Sequence, residues 1–264
     1  MKQFFFTLTT LVLSLTAAAQ QTAGTVTYIR TMQMQLNGRG DEPMMTMLPK
    51  SRTDRFELLF SNNQSLWKHA EEEAVADELS GNGMQIRMVT AGQNDVVFCD
   101  FTQARKTEQR ELMEKKFIVT DSIRKLNWIL SSETKTILGR VCHKATAQRP
   151  GRRNQMTMEN GKLERKEIAD TSLITAWFTA DIPVPAGPEV QGQLPGLILA
   201  LDINDGRIVY QAAEISPKAD LSSIKEPTKG KKLTPDEFTK ETAKMMEELQ
   251  KNNQGSGNRI IRMN

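Results

Sequence analysis

LILALDINDGRIVYQAAEI, residues 197–215, decides the fold. Leu197, Leu199, Leu201 and Ile203 recur at every second position, the period of a strand, and Asp202 falls on the opposite side. That alternation predicts a sheet with one wet face. Asn204, Asp205 and Gly206 then tolerate the positive φ angles of a tight reversal, so Leu197–Ile203 is expected to fold back on Arg207–Ile215 as an antiparallel hairpin.

Working outward, the same period recurs in Gly24–Leu36, with Val26, Tyr28, Met32 and Met34 in step. Gly38, Gly40 and Pro43 break the chain, Met44–Leu48 resumes it, and Arg55–Phe60 reads as another strand. Glu71–Leu79 is acidic, lacks apolar periodicity and reads as an exposed insertion. Gln85–Thr90 and Asp95–Phe101 flank Ala91–Asn94 as a short hairpin, followed by a strand-rich stretch over Arg110–Val119. Extended segments are expected around Trp128–Leu130, over Thr136–Gln148 up to Pro150 and Gly151, and over Ile174–Phe178. Near the end, Thr234 caps a helix, with Pro235 at its first position and Glu237 placed for a capping box. Phe238, Thr242, Met245 and Leu249 give that helix one narrow apolar stripe. The predicted fold is mainly β: a curved antiparallel sheet, meander or half-barrel, with a C-terminal helix packed on it.

The ends set the organisation. Lys2, the apolar run Phe4–Leu15 and Ala17–Ala19 read as a secretory signal peptide over 1–19, cleaved after Ala19. The run is shorter than the roughly 20 residues that span a bilayer, so no transmembrane segment is expected in the mature chain. The first cysteine is Cys99, far from the cleavage point, which argues against a lipoprotein. The expected localisation is periplasmic, with extracellular release as the alternative. Residues 20–224 read as one β-rich domain, 225–233 as a Pro, Gly and Lys linker, 234–252 as the helix and 253–264 as a disordered tail. Removing Lys2 leaves 34 basic against 32 acidic residues, a balance that points to no nucleic-acid partner.

Cys99 and Cys142, in an oxidising compartment, are candidates for a disulfide; two buried reduced thiols are the other reading. A bridge would close a loop of about 43 residues and contribute on the order of 4 kcal/mol in the chain-entropy model. Catalytic constellations are missing. The only histidines are His69 and His143, and His143 follows Cys142, so in a strand the two point to opposite faces and cannot act as a pair. No phosphate-binding loop, GxSxG elbow or HExxH motif is present. No cofactor is implied. Methionine is abundant, 14 in all, and the pairs Met32/Met34, Met45/Met47 and Met156/Met158 each share a strand face. Soft thioethers bind Cu(I), which makes copper handling one alternative, while flexible core filling is the other use of methionine.

The runs WILSSETKTILGRVCHKAT (128–146) and AWFTADIPVPAGPEVQGQLPGLILALDI (176–203) resemble the GLPGLI family of exported bacterial envelope proteins. The likeness covers Phe117–Ile215 closely, with Gln193 where the signature hexapeptide has glycine. The resemblance implies export and a β-rich fold, and carries no established activity or catalytic residues. Physically, Pro183, Pro185 and Pro188 stiffen an approach loop, Gly187 and Gly192 allow bends, and Pro195–Gly196 fits the centre of a type II turn ahead of Leu197. Two readings follow: a loop that seals one end of the sheet against Trp177, or a recognition loop of Trp177, Pro183, Pro188, Leu194, Pro195, Gly196 and Leu197. The expected function is a non-enzymatic binding or accessory module taking an apolar ligand or an envelope protein partner; an enzyme with an unrecognised site is the rival class.

Overall fold

The computed structural model describes residues 21–33, 50–70, 94–159 and 162–256. The signal segment, Met34–Leu48, the acidic insertion and Gln85–Thr90 lie outside these residues, as do the side chains of Met156 and Met158.

Twelve strands form one open sheet: β1 Gly24–Gln33, β2 Ser51–Phe60, β3 Gln64–His69, β4 Val96–Asp100, β5 Arg105–Leu112, β6 Lys115–Ser122, β7 Ile129–Ile137, β8 Arg140–Glu159, β9 Lys162–Thr179, β10 Leu197–Ile203, β11 Ile208–Ser216 and β12 Lys231–Leu233. Their spatial order is β12-β6-β5-β4-β3-β2-β1-β11-β10-β9-β8-β7. Two meanders, β1 to β6 and β7 to β11, therefore meet where β1 pairs with β11. Pairing is antiparallel except where β12 runs parallel to β6. The helix α1, Pro235–Ser256, packs on β6, with Phe238 edge-on to Phe117 at 5.6 Å and Met245 buried. Its capping box forms as expected, the Thr234 amide donating to the Glu237 carboxylate at 2.8 Å and the Glu237 amide to the Thr234 hydroxyl at 3.3 Å. No described helix is long and apolar enough to cross a membrane.

Register assigns each side chain to a face. Tyr28, Phe56, Leu58, Phe60, Ile174, Ala176 and Phe178 line the inner face and belong to the main core. On the outer face, Leu59, Leu66 and Phe98 are covered by Ile224. The segment read as a solvated linker is in fact tied down: Glu226 accepts from the Arg105 guanidinium and the Thr107 hydroxyl, and Lys231–Leu233 adds a strand. The chain thus crosses the outer face after β11, rounds the β6 edge as β12 and returns on the inner face as α1. The helix also continues to Ser256, four residues beyond the end read from the apolar stripe.

Three other expectations need correction. Leu197–Leu201 is buried throughout, so β10 has no wet side there. An irregularity between Ile198 and Ala200 shifts the alternation, and Ile198, opposite Phe178, takes the inward place assigned to Leu199. The hairpin itself forms around Asn204, Asp205 and Gly206, all at positive φ. Gly196 is not at positive φ, which excludes the type II turn; the glycine is needed because a Cβ there would collide with the Thr179 carbonyl. Finally, Cys99 on β4 and Cys142 on β8 are free and buried, with β3, β2, β1, β11, β10 and β9 between their strands. No bridge joins them.

Candidate functional site

The sequence Ile182–Val190, IPVPAGPEV, is built from γ-turns. Amide-to-carbonyl bonds two residues apart join Val184 to Ile182 (2.8 Å), Ala186 to Val184 (2.7 Å) and Val190 to Pro188 (2.6 Å). Proline centres the first two and fixes φ there. The resulting zigzag turns Ile182, Val184 and Ala186 into the core and leaves Pro183 in solvent. The loop lies on the inner face: the Ile198 amide donates to the Ala186 carbonyl at 2.9 Å, and a Cβ on Gly187 would come within 2.6 Å of Ile198. Gln193 adds a tether, its Oε1 accepting from the Leu126 amide at 2.9 Å and the Trp128 indole at 3.1 Å. A glycine at 193 would hold neither.

The loop closes the apolar part of the inner face with the chain's own side chains. The residues proposed as a recognition surface are not brought together. Pro183 and Pro195 are exposed, Pro188, Leu194, Gly196 and Leu197 are buried, and Trp177 lies on the outer face beneath Lys135, whose ammonium is 4.3 Å from the ring centre. The sealing reading holds for the loop, though not against Trp177.

Beyond Glu189 the inner face changes character. Tyr28, Phe56, Trp67, His69 and Tyr210 form a continuous aromatic cluster, with ring centres 5.3 Å apart for Tyr28/Trp67, 5.0 Å for Phe56/Trp67, 4.1 Å for Phe56/His69 and 5.9 Å for Trp67/Tyr210. Trp67 and His69, two residues apart on β3, stay half-exposed. Charged groups flank them on both sides. Towards β1, the Asp54 carboxylate accepts from Arg30 (2.6 Å) and Arg52 (2.8 Å), while Arg30 stacks 4.7 Å over Phe56. Towards β5, Arg110 binds both Glu108 and Asp95, Glu108 also pairs with Lys106, and the Glu111 amide donates to Asp95 at 2.9 Å. Glu189 joins the two parts of the face. It sits at φ 59, accepts from the Tyr210 hydroxyl at 2.8 Å and pairs with Arg149 at 3.2 Å. A non-glycine residue held in that conformation is strained.

Titration follows from these contacts. Burial raises Asp95 above the usual carboxylate range, only partly offset by the Glu111 amide and Arg110. Glu108 is also desolvated, yet Arg110 and Lys106 hold it below that range. Burial lowers His69, with Arg30 and Arg52 opposing protonation and Asp54 and Asp95 favouring it. Two carboxyls pushed apart suggest acid–base chemistry in general, but here both are bound to the same guanidinium. Among the described residues no group of three or more His, Cys, Asp or Glu side chains is placed to hold a metal. The arrangement offers stacking on Trp67 and His69 and hydrogen bonding of both signs at the rim.

Little of this strip was read from the sequence. The available signal was that Trp67 and His69 share a strand face, and the missing part was which charges the register of β2, β4 and β5 sets beside them.

These features define an open β-sheet protein with one closed and one open region on its inner face. A family model described as "Protein of unknown function (Porph_ging)" matches residues 128–200, the stretch that supplies β7 to β10, the sealing loop and Glu189. No curated protein matches the chain. Among solved structures it is similar to PNGF-II in space group C2, at 16% identity and a TM-score of 0.50, covering 83% of this chain. The P21 form gives 0.49 at the same identity and coverage. The chain spans about a third of the PNGF-II chain, 32%. At this identity the likeness is one of fold.

Proposed function

We propose that this chain is an exported, periplasmic, non-enzymatic module of the GLPGLI type that docks a protein partner on the strip around Trp67 and His69. The supporting observation is the division of the inner face. Its apolar part is filled, among the described residues, by the core side chains Ile182, Val184, Ala186 and Leu194. The open part presents Trp67 and His69 beside Arg30 and Arg110, with Glu189 at the rim; tryptophan and arginine are residue types that anchor protein interfaces. Export accounts for the signal-like first 19 residues. Native mass spectrometry of the protein purified from its own periplasm, compared with a Trp67→Ala variant of unchanged circular dichroism, tests the reading. A partner retained by the wild type and lost from the variant is expected. Retention by both, or by neither, would refute the strip as the docking surface.

A further inference from the structure

The two edges of the sheet are treated differently. At one edge β12 is three residues long, Gly230 packs against the Lys116 backbone, and α1 runs alongside with Glu241 3.5 Å from Lys231. Such a short, covered edge resists pairing with another strand. At the other, β7 has nine residues, nearly all exposed, and no described strand lies beyond it. Ile129 and Leu130 are 71% and 63% exposed, and Leu138 just past the strand is 46% exposed.

From these features we infer that β7 pairs antiparallel with β7 of a second copy of this chain, about a two-fold axis through Thr134. The backbone permits it. Ile137 pairs with Arg140 across a two-residue turn, Leu138 and Gly139, both at positive φ, as a tight hairpin requires. Alternation from that closing pair directs the peptide groups of Ile137 and Lys135 to β8, and those of Thr134 and Thr136 to the free edge. Thr134 is therefore able to bond the partner's Thr134; β7 is irregular between Leu130 and Thr134, so the contact centres on Thr134 and the residues on either side of it.

The side chains favour a second copy over an unrelated strand because this register is self-complementary. Glu133 falls opposite the partner's Lys135, and Lys135 opposite the partner's Glu133. Within one copy Glu133 is held by Lys144 at 2.9 Å, and Lys144 and Lys135 both lie over Trp177. The symmetric pairing therefore brings a carboxylate to a site that already carries two ammonium groups. A two-fold interface makes each contact twice, which doubles the effect of every favourable pair.

Sedimentation velocity of the full chain over a concentration series tests the pairing. The wild type is expected to show a reversible monomer–dimer equilibrium. Lys135→Glu and Glu133→Lys each place like charges opposite one another twice, and each should weaken dimerisation roughly tenfold or more. Mixed in equal amounts, the two variants should restore a heterodimer, since one strand is then acidic where the other is basic. Thr134→Pro removes an outward amide and should also give monomers; the charge variants keep the test valid if that one misfolds. A wild type that stays monomeric at all concentrations would overturn the proposal. So would a dimer indifferent to both charge reversals, or a mixture no more dimeric than its components. Because β7 lies at the far edge from Trp67, Trp67→Ala should leave this equilibrium unchanged, which separates the interface from the docking strip.

Discussion

One face of one sheet carries two regions with opposite treatments. Over β8 to β10, apolar residues on the strands meet a loop whose own apolar residues recur at every second position, and the face closes on itself. Across β1 to β5, the corresponding positions hold Arg30, Asp54, His69, Glu108 and Arg110, and the face stays open. The backbone pairing is of the same kind in both. What differs is whether a second apolar zigzag exists to cover the first, and IPVPAGPEV supplies it on one side only.

The largest break in that contrast is expected from Gly196→Ala. The added methyl has no room against the Thr179 carbonyl, a backbone atom that cannot move without disturbing β9. Overpacking of this kind should cost about 3 kcal/mol, lift the loop and expose the apolar half of the face. Urea unfolding should register the loss, and a dye that fluoresces on exposed apolar surface should bind the variant well below its unfolding midpoint. An unchanged midpoint would show that the loop can shift away freely. Asp54→Ala attacks the open region instead. It leaves Arg30 and Arg52, whose side chains are only 20% and 31% exposed, without their shared carboxylate. A loss of about 2 kcal/mol is expected, below the figure for fully buried pairs because solvent reaches both arginines, and with no gain in dye binding. Dye binding in both variants would mean that the two regions unfold as one.

The contrast was only partly legible in the sequence. The hairpin around Asn204–Gly206 and the cap at Thr234 were readable because each depends on residues within a few positions of one another. The proline loop was readable as stiff, though not as a second apolar layer, because the γ-turns that give it a period of two arise only when Val184 and Ala186 bond back along the chain. For Cys99 and Cys142 the choice between a bridge and two buried thiols stayed open because sequence distance carries no information on strand order, and β1 to β3 and β9 to β11 come between them. The strip around Trp67 and His69 failed to appear for the same reason. His69, Asp95 and Arg110 become neighbours through the registers of β3, β4 and β5, which no single segment encodes.

A smaller effect is expected where the sealing loop is tied to the connection between β6 and β7. Gln193→Gly restores the glycine of the signature hexapeptide and removes the acceptor shared by the Leu126 amide and the Trp128 indole. Both donors sit in the connection before β7, and both turn to water when the tether goes. The expected loss is about 1 kcal/mol, measured by urea unfolding, with faster amide exchange confined to Leu126 and its neighbours. Exchange accelerated throughout the loop would show that Gln193 supports the seal itself.

The smallest effect tests whether the open region is wet enough to titrate. His69 is held below its ordinary value of 6.5, chiefly by burial. Between that lowered value and 6.5 the unfolded chain binds a proton that the folded chain does not. Stability must therefore fall as pH drops below about 6.5, level off below the folded value, and be unaffected by His69 above pH 7. The ring is half-buried and faces Asp54 and Asp95 as well as Arg30 and Arg52, so screening should keep the change small. Urea unfolding of the wild type and His69→Gln across pH 5 to 8 isolates it: the difference between them should be flat above pH 7 and move against the wild type below it. A difference that moves in favour of the wild type would mean that the carboxylates hold His69 protonated in the fold, making this strip cationic in mild acid. A flat difference throughout would mean that the ring titrates as it does in water.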